Sequence, residues 1–119
     1  MKSRYGFGRS QRLKKNFEFK RARIKGTSYR DGFFILNIIK NDTGRHRLGA
    51  SIGASKLRLA SDRNRLKRLI REAFRINKRK LKNGAYDIVV AIKRAPGRKL
   101  YYADIERKML ALLKKANAL

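Results

Sequence analysis

Arg63-Asn64-Arg65-Leu66-Lys67-Arg68-Leu69-Ile70-Arg71-Glu72-Ala73-Phe74-Arg75 is the stretch from which the fold can be read. Its apolar residues, Leu66, Leu69, Ile70, Ala73 and Phe74, recur at intervals of three and one, the spacing of one face of an α-helix. Ser61 or Asp62, either a good N-cap, opens this helix in the sequence reading, which runs to about Leu81 before the stop pair Asn83-Gly84. At about 100° per residue, Arg63, Lys67, Arg71, Arg75 and Lys78 fall within roughly 120° of one another.

On both sides of this helix the pattern turns to sheet. Phe33-Phe34-Ile35-Leu36-Asn37-Ile38-Ile39 is a short run rich in β-branched and aromatic residues. Asn41-Asp42-Thr43-Gly44 follows like a hairpin loop and leads into a glycine-interrupted strand from His46 to Gly53. A third strand spans Tyr86 to Ile92. Tyr102, Ile105, Met109, Leu112, Leu113 and Ala116 mark a C-terminal amphipathic helix, and Asn16 to Ile24 a short N-terminal one. The order is helix, strands, helix, strand, helix, which defines an α+β class domain built as a small α/β sandwich.

Length and composition narrow the possible functions. The chain has 119 residues, read as one domain over residues 1–119 with a flexible basic arm at 1–9. Lys and Arg number 34 against 8 acids, a formal net charge of +26, yet 42% of residues are hydrophobic, as in a folded domain. The charge is uneven: net +10 over residues 1–30, +1 over 31–50, +10 over 51–83 and +5 over 84–119. With no cysteine there is no disulfide and no thiolate chemistry, and the single histidine, His46, offers little for acid–base work. No apolar run approaches the about 18 residues of a membrane span, and the plain expectation is a soluble cytoplasmic domain.

No catalytic or metal site is expected in the protein itself. The acids are scattered, and Asp104 and Glu106, two apart on a helix, point away from each other. Gly6-Phe7-Gly8 lacks the following helix that a phosphate-binding loop needs. The basic run is different. Six cations in the 13 residues Arg63–Arg75, with Glu72 as the only acid, cannot be balanced by ion pairs along the helix. Phosphates would neutralise them and release condensed counterions. Arg12, Lys14 and Lys15 add charge near the N-terminus, where Phe17 and Phe19 are interleaved with cations. One or two of Phe17, Phe19, Phe33 and Phe34 could line a cleft where unpaired bases stack, and at least two are expected in the core. Because strand residues alternate, Phe33 and Phe34 are not expected to do the same job.

The stretch Arg63 to Phe74 closely resembles the RNR signature of the bacterial ribonuclease P protein subunit. Arg12-Leu13-Lys14-Lys15 with Glu18-Phe19, Phe34-Ile35-Leu36, and Arg47-Leu48-Gly49-Ala50-Ser51-Ile52 resemble its flanking elements, so that the similarity covers roughly residues 9–115. The resemblance implies a ferredoxin-like, ribosomal S5 domain 2-like sandwich with a left-handed crossover. It implies a partner catalytic RNA whose magnesium ions cleave precursor tRNA, no cofactor on the protein alone, and no required protein partner. By position, Arg63, Asn64, Arg65, Lys67, Arg68 and Arg71 inherit RNA binding, with Arg12, Lys14, Lys15 and Arg75 as further basic contacts. Phe19, Arg23, Phe34 and Asn37 inherit a cleft for the 5′ leader. Arg23 and Asn37 stand where the family often has aromatic residues, and the loop Ala54 to Ser61 carries an apparent one-residue insertion and lacks the usual glycine. The alternative is a ribosomal or other structural RNA-binding protein, which charge and size fit equally well.

Overall fold

The computed structural model describes residues 11–82 and 84–119; the expected basic arm at 1–9, with Gly6-Phe7-Gly8, and Asn83 lie outside the described residues. The elements are α1 (Asn16–Lys25), β1 (Thr27–Arg30), β2 (Phe34–Lys40), β3 (Arg47–Ser51), α2 (Ala60–Asn77), a 3-10 turn (Lys78–Lys80), β4 (Tyr86–Ile92) and α3 (Tyr102–Lys115). α1 and α3 fall where the sequence places them, whereas α2 ends at Asn77, short of Leu81, and a 3-10 turn carries the chain on to Lys80. The sheet does not follow the expected order.

Its strands run β1-β2-β4-β3, with β2 antiparallel to both β1 and β4, and β3 parallel to β4. Asn41 to Gly44 is therefore not a hairpin loop, because β4 lies between β2 and β3. The reason is burial. From Asp87 to Val90, and again at Ile92, β4 is buried on both faces, as only a central strand can be. β3, with Gly49 and Ser51, is suited to the edge. The real hairpin is formed at Asp31-Gly32, where the Asp31 Oδ1 accepts from the Phe33 and Phe34 N–H groups at 2.7 and 2.6 Å. That turn joins β2 to β1, a strand absent from the sequence reading. Gly26 makes the passage from α1 into β1 possible, since a Cβ there would meet the carbonyl oxygens of Ala22 and Ile38.

The start of α2 also differs from expectation. Neither Ser61 nor Asp62 caps it; the helix begins at Ala60 after Leu59, with no side-chain cap. Arg63 does the bracing instead. Its Nη1 donates to the carbonyls of Leu57 and Arg58, both at 2.8 Å, and its N–H donates to Leu59 at 3.1 Å. The loop before the helix is thereby tied to the first turn.

Alternation along the strands divides the molecule into layers. Phe34, Leu36, Ile38, Leu48, Ile88, Val90 and Ile92 face α2 and α3 in the main core. On the opposite face Val89 packs with Leu13 and Ala22, flanked by Phe19 and Ile39, under α1. Phe33 sits just before β2, outside the alternation, so it joins Phe34 in the main core, their rings 4.7 Å apart edge to face. The expectation that these two differ in role fails for that reason. His46 is structural: its Nδ1 accepts from the Tyr86 N–H at 3.2 Å and its ring stacks on Tyr86 at 5.5 Å. No helix among the described residues is long and apolar enough to cross a membrane.

Candidate nucleic-acid interface

Two cationic surfaces meet at the N-terminal segment. The first is the outer flank of α2. Asn64, Arg68 and Arg71 are exposed there, and Arg65 and Lys67 are half-buried. Arg12 forms a parallel bridge to Leu48, and the Leu13 N–H donates to the Leu48 carbonyl at 3.0 Å. This pairing lays residues 11–13 along the edge of β3 and delivers Arg12 beside α2. Arg71 is accordingly held below the ordinary arginine range, first by burial and then by the charge of Arg12. Lys78, hydrogen-bonded to Gln11 at 3.0 Å, is likewise lowered by burial and by Arg75. Cations pressed together in this way lower their mutual repulsion when an anion lies across them. The sequence placed Arg12 and Arg71 in separate basic segments; the sheet brings them together.

Not every expected contact is equally available. Arg63 spends one guanidinium nitrogen on the loop carbonyls described above. Arg75 is ion-paired with Glu72 on the same helix. Lys14 and Lys15 are exposed, and the Lys15 ammonium lies 5.7 Å from the ring of exposed Phe17.

The second surface is an open groove of about 430 Å³ between α1 and the edge of β3, lined by Asn16, Phe19, Lys20, Arg23, Ala50 and Ser51. Positions 16, 19, 20 and 23 share one side of α1 by helical spacing. Phe19 is half-buried, with its ring seated on Gly49. A Cβ at Gly49 would meet that ring at 2.5 Å, so only glycine lets the aromatic lie this low on the sheet. The alternation of β3 has a second consequence. Leu48 points its main-chain groups outward to residues 11–13, so Ala50, two residues on, presents its own N–H and C=O at the same outer edge of β3.

Of the four expected cleft residues, the groove holds Phe19 and Arg23. Phe34 is a correction: it is fully buried on the opposite face of the sheet and has no surface for a base. Asn37 is the other. At 6% exposure it lies on the α1 face of β2, covered by that helix, and does not line the groove. Asn16, Lys20, Ala50 and Ser51 line it without having been expected there; helical spacing from Phe19 could have found the first two.

What fixes the groove is a charge network below it. Arg47 and Asp87 are direct partners across β3 and β4. The Arg47 Nε and Nη2 donate to the two Asp87 carboxylate oxygens at 2.7 and 2.8 Å, while its Nη1 reaches Glu18 on α1 at 2.8 Å. Asn41 also donates to Asp87 at 2.7 Å, and Arg21 approaches it at 3.7 Å. α1 is thus bolted to the sheet through Arg47. Burial alone would raise the Glu18 pKa, but the Lys15 and Lys14 N–H groups and the Arg47 cation together hold it below its ordinary value of 4.5. Because the folded value is the lower one, the contribution of Glu18 is present above about pH 4.5 and lost as pH falls through the folded value. Thermal melts should show Glu18→Gln less stable than the parent at neutral pH, with the gap closing below pH 4.5. A gap that persisted in acid would contradict this role. Among the described residues, no three His, Asp or Glu side chains are grouped so that they could hold a metal ion.

A mixed sheet flanked by helices, with an exposed cationic helix and a groove floored by Phe19, defines a small α+β protein whose surface suits a polyanion. The chain belongs to the ribonuclease P protein family: the family model described as Ribonuclease P matches residues 7–117. The ribonuclease P protein component of Clostridium botulinum (strain Loch Maree / Type A3) is 37% identical over 108 residues, covering 91% of this chain and 96% of the relative. The RNase P protein of Staphylococcus aureus superposes with a TM-score of 0.79 at 33% identity, over 91% of this chain and 96% of the other. That of Thermotoga maritima gives 0.72 at 31%, over 87% and 96%. The alternative of a ribosomal protein is thereby set aside.

Proposed function

We propose that this chain acts in tRNA 5′ maturation as the partner of a catalytic RNA and performs no bond chemistry itself. In this reading the exposed flank of α2, with Arg12 beside it, binds the catalytic RNA, and the groove between α1 and β3 holds the single-stranded 5′ leader of precursor tRNA. Magnesium ions held by the RNA carry out the hydrolysis, no other protein partner is required, and the work is cytoplasmic. The observation that carries the reading is the pairing, in a chain of this family, of an exposed cationic helix face with a separate groove that sets Phe19 beside Lys20 and Arg23.

The chemistry follows from that division. Cations on α2 lower phosphate repulsion between two RNA molecules, so productive binding needs less magnesium. The groove supplies Phe19 as a stacking surface and Lys20 and Arg23 as phosphate or base-edge contacts. Mature tRNA lacks a leader and forgoes these contacts, so substrate is favoured over product. The test is cleavage of 5′-labelled precursor tRNA by bacterial ribonuclease P RNA at low magnesium, with and without the protein. Accurate 5′ processing that needs both components, with no cutting by the protein alone, is the expected result. Failure to rescue, despite tight and salt-sensitive RNA binding, would refute it.

A further inference from the structure

A second recess lies on the other side of the sheet, where the first turn of α2 meets the segment between β4 and α3. It measures about 460 Å³ and is lined by Leu57, Leu66, Pro96 and Leu100 as apolar walls, with Asp62, Arg65, Arg98 and Lys99 at its polar positions. Tyr101 stands beside it with 58% of its surface exposed. The Arg65 guanidinium and the Lys99 ammonium approach the ring to 5.9 and 5.6 Å from its centre. Those distances are at the long end for a cation–π contact, so the ring is bordered by charge and still open. Arg98 is partly neutralised by Asp104 at 3.2 Å, whereas Arg65 and Lys99 have no carboxylate partner among the described residues.

We infer that this recess takes one unpaired nucleotide of the RNA bound along α2, with the base stacked on Tyr101 and its phosphate held between Lys99 and Arg65. An aromatic face bordered by cations matches a nucleotide, which has a π-face and an anion close together. An acidic peptide would use the cations and leave the exposed ring without a role. Continuity with the α2 surface gives the source, since Arg65 lies one turn before Arg68 on the same helix. The leader groove lies across the sheet. The inference rests on the proposed binding of RNA along α2 and goes beyond it by naming a stacking site.

Tyr101 can be altered without disturbing α3. The cap of that helix is made by main-chain groups and by Asp104, whose carboxylate accepts from the Tyr101 N–H at 3.0 Å. The experiment compares ribonuclease P RNA binding by the parent, Tyr101→Ala, Tyr101→Phe and Arg68→Ala across a salt series. Tyr101→Ala is expected to bind roughly 5- to 150-fold more weakly with the salt slope unchanged, because stacking releases no counterions. Tyr101→Phe should bind like the parent. Parent-like binding by Tyr101→Ala, while Arg68→Ala loses affinity, would overturn the stacking site and leave the α2 surface standing. Parent-like binding by all three variants would overturn both. Equal loss in Tyr101→Ala and Tyr101→Phe would implicate the hydroxyl and refute stacking.

Discussion

Asp87→Ala is expected to cost about 3–5 kcal/mol of folding stability, the range for removing one member of a buried ion pair. Asp87 is 1% exposed, and it holds Arg47 through two hydrogen bonds and Asn41 through a third. Truncation leaves Arg47 with Glu18 alone, and Arg21 loses its nearest carboxylate. The loss is large against the roughly 5–15 kcal/mol total of an ordinary domain. Urea unfolding should show a lower midpoint with the slope retained, because the surface exposed on unfolding is nearly the same. Arg47→Ala should cost a similar amount, and the double variant much less than the two added together, since both remove one network. Strict additivity would show that these residues stabilise the fold separately. Leader binding should fall along with stability. The network fixes α1, and α1 carries Asn16, Phe19, Lys20 and Arg23, four of the six residues that line the groove.

That network shows what the sequence could and could not reveal. Helices α2 and α3 were readable because their apolar stripes are local, each side chain three or four residues from its neighbours. Strand order is set by pairing over long distances. β4 begins 35 residues after β3 ends, and nothing in Tyr86–Ile92 says that it will enter between two earlier strands. A run apolar on both faces was a hint of a central place, and Asn41 to Gly44 offered a competing local signal. β1 was hidden for another reason: Thr27–Arg30 is short and mostly exposed, so it has no alternation to detect. In the candidate site, Phe19 and Arg23 were legible from resemblance and helical spacing. Phe34 was misplaced because the face a strand residue takes depends on which layer each helix covers. Arg47 and Asp87, 40 residues apart, became partners only through the parallel register of β3 and β4.

Combining Arg68→Ala with Arg71→Ala is expected to have the largest effect on RNA binding. Both side chains are exposed on α2, and neither has an ion pair with an acid among the described residues, so each is available for a phosphate. Arg71 already shares its surroundings with Arg12, and an RNA phosphate placed there would relieve repulsion as well as supply attraction. Losing two phosphate contacts should flatten the slope of log K against log salt by about 1.4–1.8 and weaken binding by well over tenfold near 0.1 M salt. Folding should be nearly unaffected, since exposed cations in a chain of net charge +26 repel more than they attract. Comparison with Arg75→Ala separates phosphate contact from simple loss of charge. Arg75 is held by Glu72, so its removal should change the slope less than the loss of Arg68 or of Arg71. If Arg75→Ala flattened the slope as much as Arg71→Ala, the ion pair with Glu72 would not withhold Arg75 from phosphate, and the path would extend one turn further along α2. A larger effect from Arg68 and Arg71 would locate the phosphate path along the exposed flank of α2, in line with Arg12 and the edge of β3.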